Sequence, residues 1–462
     1  MAAFFPWGNP PHRCTVEPIP QGSQGKGEER LRTSQVTDPR HHTRLSVTGI
    51  QRRHPPTVGL GGRLRLAIGL TTVGLALGSC QFTLAPPAPP ARRVAAEADC
   101  PAVYDPTQDY FPDKVEPAYA TGFAVEYHRH YKVVTVNSPW KGADTALTYL
   151  LVQCGTPVPQ GFESAQVIRV PAQRVVALST THLPHLDVLG QVDTLVGVDQ
   201  FATVNTASVR QKIDQGHLQE FTSGRTVNLE RLLAAEPDLV LTFAMGNGDT
   251  DRHDRLIQAG VPMAIVAEYL ESSPLGRAEW LKFTALFFNQ EARAEQVFSP
   301  IAQDYNALLQ ITQDLEQRPT VFTGFSYEGT WYMPGGQSYA AHLLRDAGAT
   351  YLWANSEWAD SLPLDFEAVY ERAAGADFWV NVSQDWFSQA DVIAADPRYG
   401  QFLALQAGRV FNNNARLNPT GGNDYWEGGL INPHWVLADL IKIFHPDLLP
   451  HHNFIYYQPL TR

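Results

Sequence analysis

From residue 166 onward, short apolar runs alternate with segments in which apolar residues recur at three- and four-residue steps. The run at 174–178 predicts a strand, and the segment after it predicts a helix that ends at Gly190. Further runs that predict strands lie at 194–198, 238–243 and 262–266. This alternation predicts a parallel sheet flanked by helices.

The same alternation resumes at residue 319, so the pattern predicts two lobes: an N-terminal lobe at 166–273 and a C-terminal lobe at 319–462. The connection at 274–318 keeps helical spacing for most of its length. Pro300 interrupts this connection, which predicts either a kink or two abutting helices. The predicted fold class is therefore α/β, with two lobes that are each a mainly parallel sheet flanked by helices.

A short apolar run at 66–77 follows Arg63 and Arg65 and ends in Leu-Gly-Ser-Cys, with Cys80 last. The run is too short to span a membrane as a helix. This layout resembles a bacterial lipoprotein signal at 58–79, which implies that Cys80 becomes the lipid-modified first residue. The alternative is a buried strand with an ordinary core cysteine. The Pro/Ala-rich segment at 80–99 predicts a tether instead, which favours the lipid anchor.

Residues 1–57 are rich in Arg, Pro, Gly, Gln and His and have no sustained apolar periodicity, so they cannot build a core. A secretory signal normally begins a protein. We therefore interpret this segment as an over-extended gene start, with a disordered cytoplasmic extension as the alternative.

The segment at 100–165 contains three runs of strand-forming residues and predicts a β-rich extension before the first lobe. Cys100 and Cys154 bracket these runs. Outside the cytoplasm, where oxidation is favoured, they predict a disulfide. Two unpaired buried thiols are the alternative.

Composition narrows the function classes. Residues 80–462 carry 25 basic and 43 acidic side chains, a net charge of −18, which argues against binding to nucleic acid. No Gly-x-Ser-x-Gly, His-Glu-x-x-His or phosphate-binding glycine motif occurs, so we expect no enzyme and no resident cofactor. His182 with His185, and His128 with His130, lack the further ligands that a zinc or manganese ion needs.

Three segments together carry a resemblance to a known family: residues 174–182 leading to Leu189-Gly190, residues 228–240, and residues 290–297. In order and spacing they resemble the ABC-transporter substrate-binding proteins that capture iron–siderophores, haem and cobalamin. The resemblance spans most of residues 170–450. It implies a lipid-anchored protein on the outer side of the cell membrane that delivers a ferric siderophore to a membrane permease. Cobalamin or haem is the alternative ligand in the same fold, and direct binding of zinc or manganese is a second alternative.

Ligands of open α/β sheets lie beyond the carboxyl ends of the strands. The loops predicted there are rich in aromatic residues, which either pack on their own lobe or meet a ligand. No cluster of arginines marks a site for an anionic siderophore, and Arg252, Arg277 and Arg416 are the candidate partners for an anionic ligand. The predicted ligand-binding residues are Thr181, His182, Phe201, Tyr269, Trp331, Tyr332, Trp386, Tyr425 and Trp426.

Glu230 and Glu367 begin short predicted helices at equivalent places in the two lobes. In the family that the chain resembles, acidic residues at these positions meet arginines of the permease, so the resemblance implies docking roles for both. The alternative is stabilisation of the helix dipole, and the two roles are compatible.

Overall fold

The computed structural model describes residues 100–223, 226–246 and 253–462. The predicted signal, the tether and Cys80 lie outside these residues. Along the described chain, a β-sheet extension is followed by two α/β lobes. No helix in these ranges is both long and apolar enough to cross a membrane.

The extension is a four-stranded sheet in the order β1-β2-β3-β4. Its strands are β1 (Phe123–Tyr127), β2 (Tyr131–Val136), β3 (Leu147–Gln153) and β4 (Gln166–Val170). The first three strands form an antiparallel meander, whereas β4 runs parallel to β3. The extension therefore continues to residue 170 and includes a strand that the sequence pattern assigned to the N-terminal lobe. Cys100 and Cys154 form a disulfide beside this sheet.

The N-terminal lobe contains a five-stranded parallel sheet in the order β11-β10-β5-β6-β7. Its central strands are buried along their whole length, as expected for a parallel sheet covered on both faces. The strands of the whole N-terminal lobe, of which β8 and β9 lie outside this sheet, are β5 (Val175–Ala177), β6 (Leu195–Val198), β7 (Gln219–Glu220), β8 (Thr222–Ser223), β9 (Thr226–Val227), β10 (Leu239–Thr242) and β11 (Met263–Ile265). Its helices are α1 (Leu183–Val188), α2 (Ala207–Asp214), α3 (Leu229–Ala234) and α4 (His253–Gln258).

The connection between the lobes consists of two helices, α5 (Pro274–Leu286) and α6 (Glu291–Thr312). They are separated near Asn289, whose backbone φ of 55° is in the left-handed region, and not at Pro300, which lies inside α6. The two helices lie side by side, because Lys282 of α5 forms an ion pair of 2.8 Å with Glu295 of α6. The single helix spanning the connection is therefore α6, which at about 1.5 Å per residue is roughly 33 Å long.

The C-terminal lobe contains a five-stranded sheet in the order β15-β12-β17-β18-β19, which is parallel except for β19. A small antiparallel sheet, β13-β14-β16, lies beside it. The strands are β12 (Thr320–Thr323), β13 (Ser326–Tyr327), β14 (Thr330–Pro334), β15 (Thr350–Tyr351), β16 (Ser361–Leu364), β17 (Phe378–Val380), β18 (Val410–Asn412) and β19 (Gln458–Pro459). The helices are α7 (Tyr339–Asp346), α8 (Phe366–Ala373), α9 (Gln389–Ala395), α10 (Leu403–Gln406), α11 (Gly428–Ile431) and α12 (Pro433–Phe444).

Candidate ligand-binding site between the lobes

A group of polar side chains occupies the junction between the two lobes, where loops follow the carboxyl ends of both sheets. Thr181 follows β5 and Glu268 follows β11 in the N-terminal lobe, and Asn381 follows β17 in the C-terminal lobe. Most of these side chains are buried. We call the group the interlobe cluster; its members are Thr181, Glu268, Arg277, Tyr339, Asn381, Tyr425 and Tyr457.

Arg277, at the end of the first turn of α5, contacts charged or aromatic groups of both lobes. Its guanidinium carbon lies 4.1 Å from the centre of the Tyr339 ring in the C-terminal lobe, a cation–π arrangement. Its Nη2 donates hydrogen bonds of 2.8 and 3.0 Å to the backbone carbonyls of Tyr269 and Glu271. The carboxylate of Glu268 attracts it from the N-terminal lobe. Burial lowers the pKa of Arg277, but a guanidinium remains charged at any physiological pH.

Two buried polar atoms of this cluster, Glu268 Oε2 and Arg277 Nε, have no hydrogen-bond partner among the described residues. A buried polar atom without a partner costs about 1–3 kcal/mol, so native proteins contain few of them. Unpartnered polar atoms at the lobe junction are expected in a site that forms hydrogen bonds with a polar ligand.

Burial also fixes which atoms donate hydrogen bonds. It raises the pKa of Tyr425 to about 12 and raises the pKa values of Tyr339 and Tyr457 above their ordinary value. The three hydroxyls therefore stay protonated at neutral pH. Burial raises the pKa of Glu268 as well, and a hydrogen bond from Thr181 offsets part of that effect. With the Arg277 cation, the cluster offers donors suited to an oxygen-rich ligand.

At one side of the junction the lobes touch directly. The Glu427 carboxylate of the C-terminal lobe accepts hydrogen bonds from the backbone N–H groups of Asn205 at 2.8 Å and Thr206 at 2.6 Å. These residues directly precede α2, so a carboxylate of the other lobe holds the segment that leads into this helix. Asn418 adds two hydrogen bonds of 3.0 Å to the carbonyls of Ala202 and Val204.

Two of the predicted aromatic contacts belong instead to the core of the C-terminal lobe. Trp331 is 0% exposed, and its Nε1 donates a hydrogen bond of 2.8 Å to the Thr323 carbonyl. Trp386 packs against Trp379 and Tyr399. Alternation along β14 turns the next residue, Tyr332, away from that core, and it is 39% exposed. We therefore leave Trp331 out of the proposed site.

The other predicted residues lie closer to the junction. Thr181 and Tyr425 are members of the interlobe cluster. The Trp426 ring packs edge-on against Tyr425, with the two ring centres 4.7 Å apart. The Tyr269 hydroxyl donates a hydrogen bond of 2.6 Å to the Ala244 carbonyl, so it supports a cleft loop. Phe201 is partly buried in the loop that Glu427 contacts.

His182 is fully buried beside Thr181, and its ring lies against the backbone of Leu241. Burial lowers the pKa of His182 to about 3, so the ring is neutral. No group of three potential metal-ligating side chains occurs among the residues that the structure describes.

Sequence reasoning missed Glu268, Tyr339, Asn381 and Tyr457 as members of the site. Glu268 follows a predicted strand and was detectable as a cleft-loop residue. Tyr457 lies beyond the last predicted helix, and it reaches the cluster because Asp439 binds the backbone N–H groups of residues 455–457. No local sequence pattern signals that long-range contact.

Glu230 and Glu367 are both exposed in the first turns of α3 and α8. Asn228 and Asp365 cap these helices through their side chains. Glu367 also forms an exposed ion pair with Arg398 at 3.2 Å. Neither glutamate belongs to the interlobe cluster.

The described chain thus has two α/β lobes with a polar cluster at their junction. The chain belongs to the periplasmic binding protein family, whose model matches residues 175–417. Among curated relatives, it is 26% identical to the uncharacterized lipoprotein MJ0878 of Methanocaldococcus jannaschii over 322 residues, which are 66% of this chain and 73% of the relative. The uncharacterized lipoprotein MJ0872 of the same organism is 25% identical over 313 residues, covering 65% and 76%.

Solved structures can also be aligned with this chain. A periplasmic haem-binding protein from Pseudomonas aeruginosa aligns with 21% sequence identity and a TM-score of 0.45, over 60% of this chain and 94% of that one. A likeness at this level carries no argument about the ligand.

Proposed function

We propose that this protein is the extracytoplasmic substrate-binding component of an ABC importer, which captures a metal chelate between its lobes and delivers it to a membrane permease. Membership of the periplasmic binding protein family supports the general role. The observation that carries the proposal is the set of buried, unpartnered polar atoms at the lobe junction.

A ferric siderophore is the ligand we propose first. Siderophores surround their metal with oxygen atoms, and many carry negative charge. The Arg277 guanidinium and the neutral hydroxyls of Tyr425 and Tyr457 are suitable donors for such a surface. Haem carboxylates and the cobalamin phosphate would also suit these donors, so both remain alternatives that the same assay distinguishes.

The binding test is a tryptophan-fluorescence titration of the full chain in detergent with ferric siderophores, haemin and cobalamin. Trp426 lies against Tyr425 and Trp386 lies in the adjacent lobe core, so an occupied cleft should change their emission. Saturable binding of one chelate class supports the proposal. A chain that responds to none of the three contradicts it.

Cleft variants locate the binding. Arg277→Met and Tyr457→Phe each remove donors from the interlobe cluster, and we expect either to weaken chelate binding at least tenfold, because a charged hydrogen bond contributes about 1.5–3 kcal/mol. Arg345→Met is the matched control, because Arg345 is an exposed arginine on α7. Equal affinities in all three variants would place the ligand elsewhere.

Direct binding of zinc or manganese predicts a different result. Calorimetry with the metal salt alone would then show saturable heat, and chelates would add nothing. The described residues contain no group of three metal-ligating side chains that supports this alternative.

We also propose that Cys80 carries the lipid that holds the protein at the membrane. The relatives named as lipoproteins support this proposal. Cys80→Ala should move the protein from the membrane fraction to the soluble fraction. Unchanged membrane retention would contradict the lipid anchor.

A further inference from the structure

We infer that the N-terminal extension is a strap across one end of the ligand cleft, and that the cleft opens when the β2–β3 loop releases the C-terminal lobe. This inference deepens the proposed function, because it assigns the extension a part in capturing and releasing the ligand. The family model begins at residue 175, after the extension.

Strand order separates two places along the junction of the lobes. In the N-terminal sheet β6 and β10 lie on opposite sides of β5, and in the C-terminal sheet β18 and β15 are separated by β12 and β17. At the first place, Glu427, which follows β18, accepts a hydrogen bond from Thr206, which follows β6. At the second, Gly246, which follows β10, and Asp360, which follows β15, both lie against the loop between β2 and β3.

The loop at 137–146, between β2 and β3, reaches this second place. Gly246 follows β10, and a Cβ atom there would lie 2.8 Å from Trp140 Cδ1 and 2.9 Å from the Lys141 carbonyl. Trp140 also packs against the hydrophobic core of the N-terminal lobe. The loop is therefore seated directly on the N-terminal lobe.

From this seat the loop extends to the C-terminal lobe. Lys141 Nζ forms an ion pair with Asp360 Oδ2, between β15 and β16. The backbone of the same segment holds the turn after β14, since the Asp360 carbonyl accepts a hydrogen bond of 2.7 Å from Gly335 N–H and the Trp358 carbonyl accepts one of 3.0 Å from Gln337 N–H. The extension thus contacts both lobes at this second place along the junction.

The attachments of the extension differ in strength. Core residues of its sheet pack in one hydrophobic cluster with the N-terminal sheet. The buried Glu279 carboxylate of the connecting helix α5 accepts hydrogen bonds from the backbone N–H groups of residues 118–120, and the buried Lys132 ammonium pairs with Glu291 of α6 at 2.7 Å. By contrast, Lys141 and Asp360 are 55% and 34% exposed, and exposed ion pairs are weak. Firm attachment to the N-terminal lobe and to the connecting helices, with a weak contact to the C-terminal lobe, suits a strap that opens and closes.

Hydrogen–deuterium exchange of the full chain, without ligand, tests the strap. We expect Lys141→Asp and Asp360→Lys each to speed exchange at the amides of Gly335 and Gln337 by about two- to fivefold, the range of an exposed ion pair. The double variant, which restores the pair with reversed polarity, should return exchange to the original rate. Amides within β2 and β3 should not change.

The matched control is Lys114→Asp. Lys114 pairs with Asp109 at 2.9 Å with similar exposure, 47% and 45%, but both residues lie within the extension. This control should leave the Gly335 and Gln337 amides unchanged. The proposed strap is contradicted if the single variants at 141 and 360 also leave the exchange rates of these two amides unchanged. It is contradicted as well if the double variant does not restore the original rates. Because no ligand enters the measurement, this failure is distinguishable from a failure of the proposed function.

Discussion

Two buried polar regions differ in how completely their atoms are hydrogen-bonded. One surrounds Asp439 in the C-terminal lobe, and the other is the interlobe cluster at the lobe junction. Around Asp439, which is 0% exposed, the carboxylate accepts hydrogen bonds from the His452 side chain at 2.6 Å and from the backbone N–H groups of residues 455–457. In the interlobe cluster, Glu268 Oε2 and Arg277 Nε are buried without partners. Both regions bury charge, but only the first satisfies it.

The difference separates structural from functional polar groups. A fully paired buried carboxylate fixes the chain around it, and Asp439 fixes the C-terminal segment that carries Tyr457. Unpaired buried groups lower stability and persist where function needs them. The comparison therefore predicts large stability losses at Asp439 and small ones in the interlobe cluster, with the opposite order for ligand affinity.

The largest effect is expected for Asp439→Asn. The amide nitrogen would face backbone N–H donors in place of an accepting oxygen, so we expect the free energy of unfolding to fall by about 3 kcal/mol. Chemical denaturation measures this loss. Asp447→Asn, at an exposed carboxylate of the same region, is the control and should change little. An Asp439 variant as stable as the original chain would break the comparison.

A smaller effect is expected from pH. Burial lowers the pKa of His182 to about 3 and that of His185 to about 4, whereas both titrate near 6.5 when unfolded. The unfolded chain then binds more protons, so their contribution is complete above pH 6.5 and is lost as pH falls towards 4. Each histidine should cost about 1–2 kcal/mol between pH 6.5 and 5.

His185 sharpens the comparison, because its Nδ1 is hydrogen-bonded to Thr284 Oγ1 at 2.9 Å, whereas the ring of His182 lies against the backbone of Leu241. Denaturation curves at several pH values measure how the free energy of unfolding depends on pH. His182→Gln and His185→Gln should each reduce that dependence by the equivalent of one proton, and His185→Gln should in addition lower stability at pH 8, because it breaks the hydrogen bond to the Thr284 side chain. Equal losses at pH 8 would count against this distinction.

The sequence pattern predicted the two-lobed α/β architecture because buried parallel strands are continuous apolar runs, as in β5 and β10. It did not predict that α5 lies beside α6, since the reversal near Asn289 depends on packing and on the Lys282–Glu295 pair. Trp331 and Tyr332 are adjacent in the sequence, yet strand alternation buries one and exposes the other. Tyr457 depends on Asp439, a tertiary contact that no local pattern contains.

A still smaller change in stability is expected when both unpaired charges of the cluster are removed. The double variant Glu268→Gln with Arg277→Met should lower the free energy of unfolding by about 1 kcal/mol, because neutral groups of similar size replace the two charges while the Tyr269 and Glu271 carbonyls lose their hydrogen bonds from Arg277. Either single variant should be less stable than the double variant, since it leaves one buried charge alone. Chemical denaturation of all four chains gives this cycle. A double variant that loses several kcal/mol would place the cluster with Asp439 as a structural network.

The smallest effect on stability is expected at the proposed docking glutamates, which are exposed and outside both buried regions. Glu230→Ala and Glu367→Ala should leave the melting temperature and chelate affinity unchanged, because Arg398 keeps its 2.7 Å ion pair with Asp396 when Glu367 is lost. Both should weaken the complex with the permease and reduce uptake, and reversal to Lys should be worse than Ala. Glu371→Lys, exposed on α8 beyond the first turn, is the control. Normal uptake by both Lys variants would refute docking, whereas loss of chelate binding would place these residues at the ligand site.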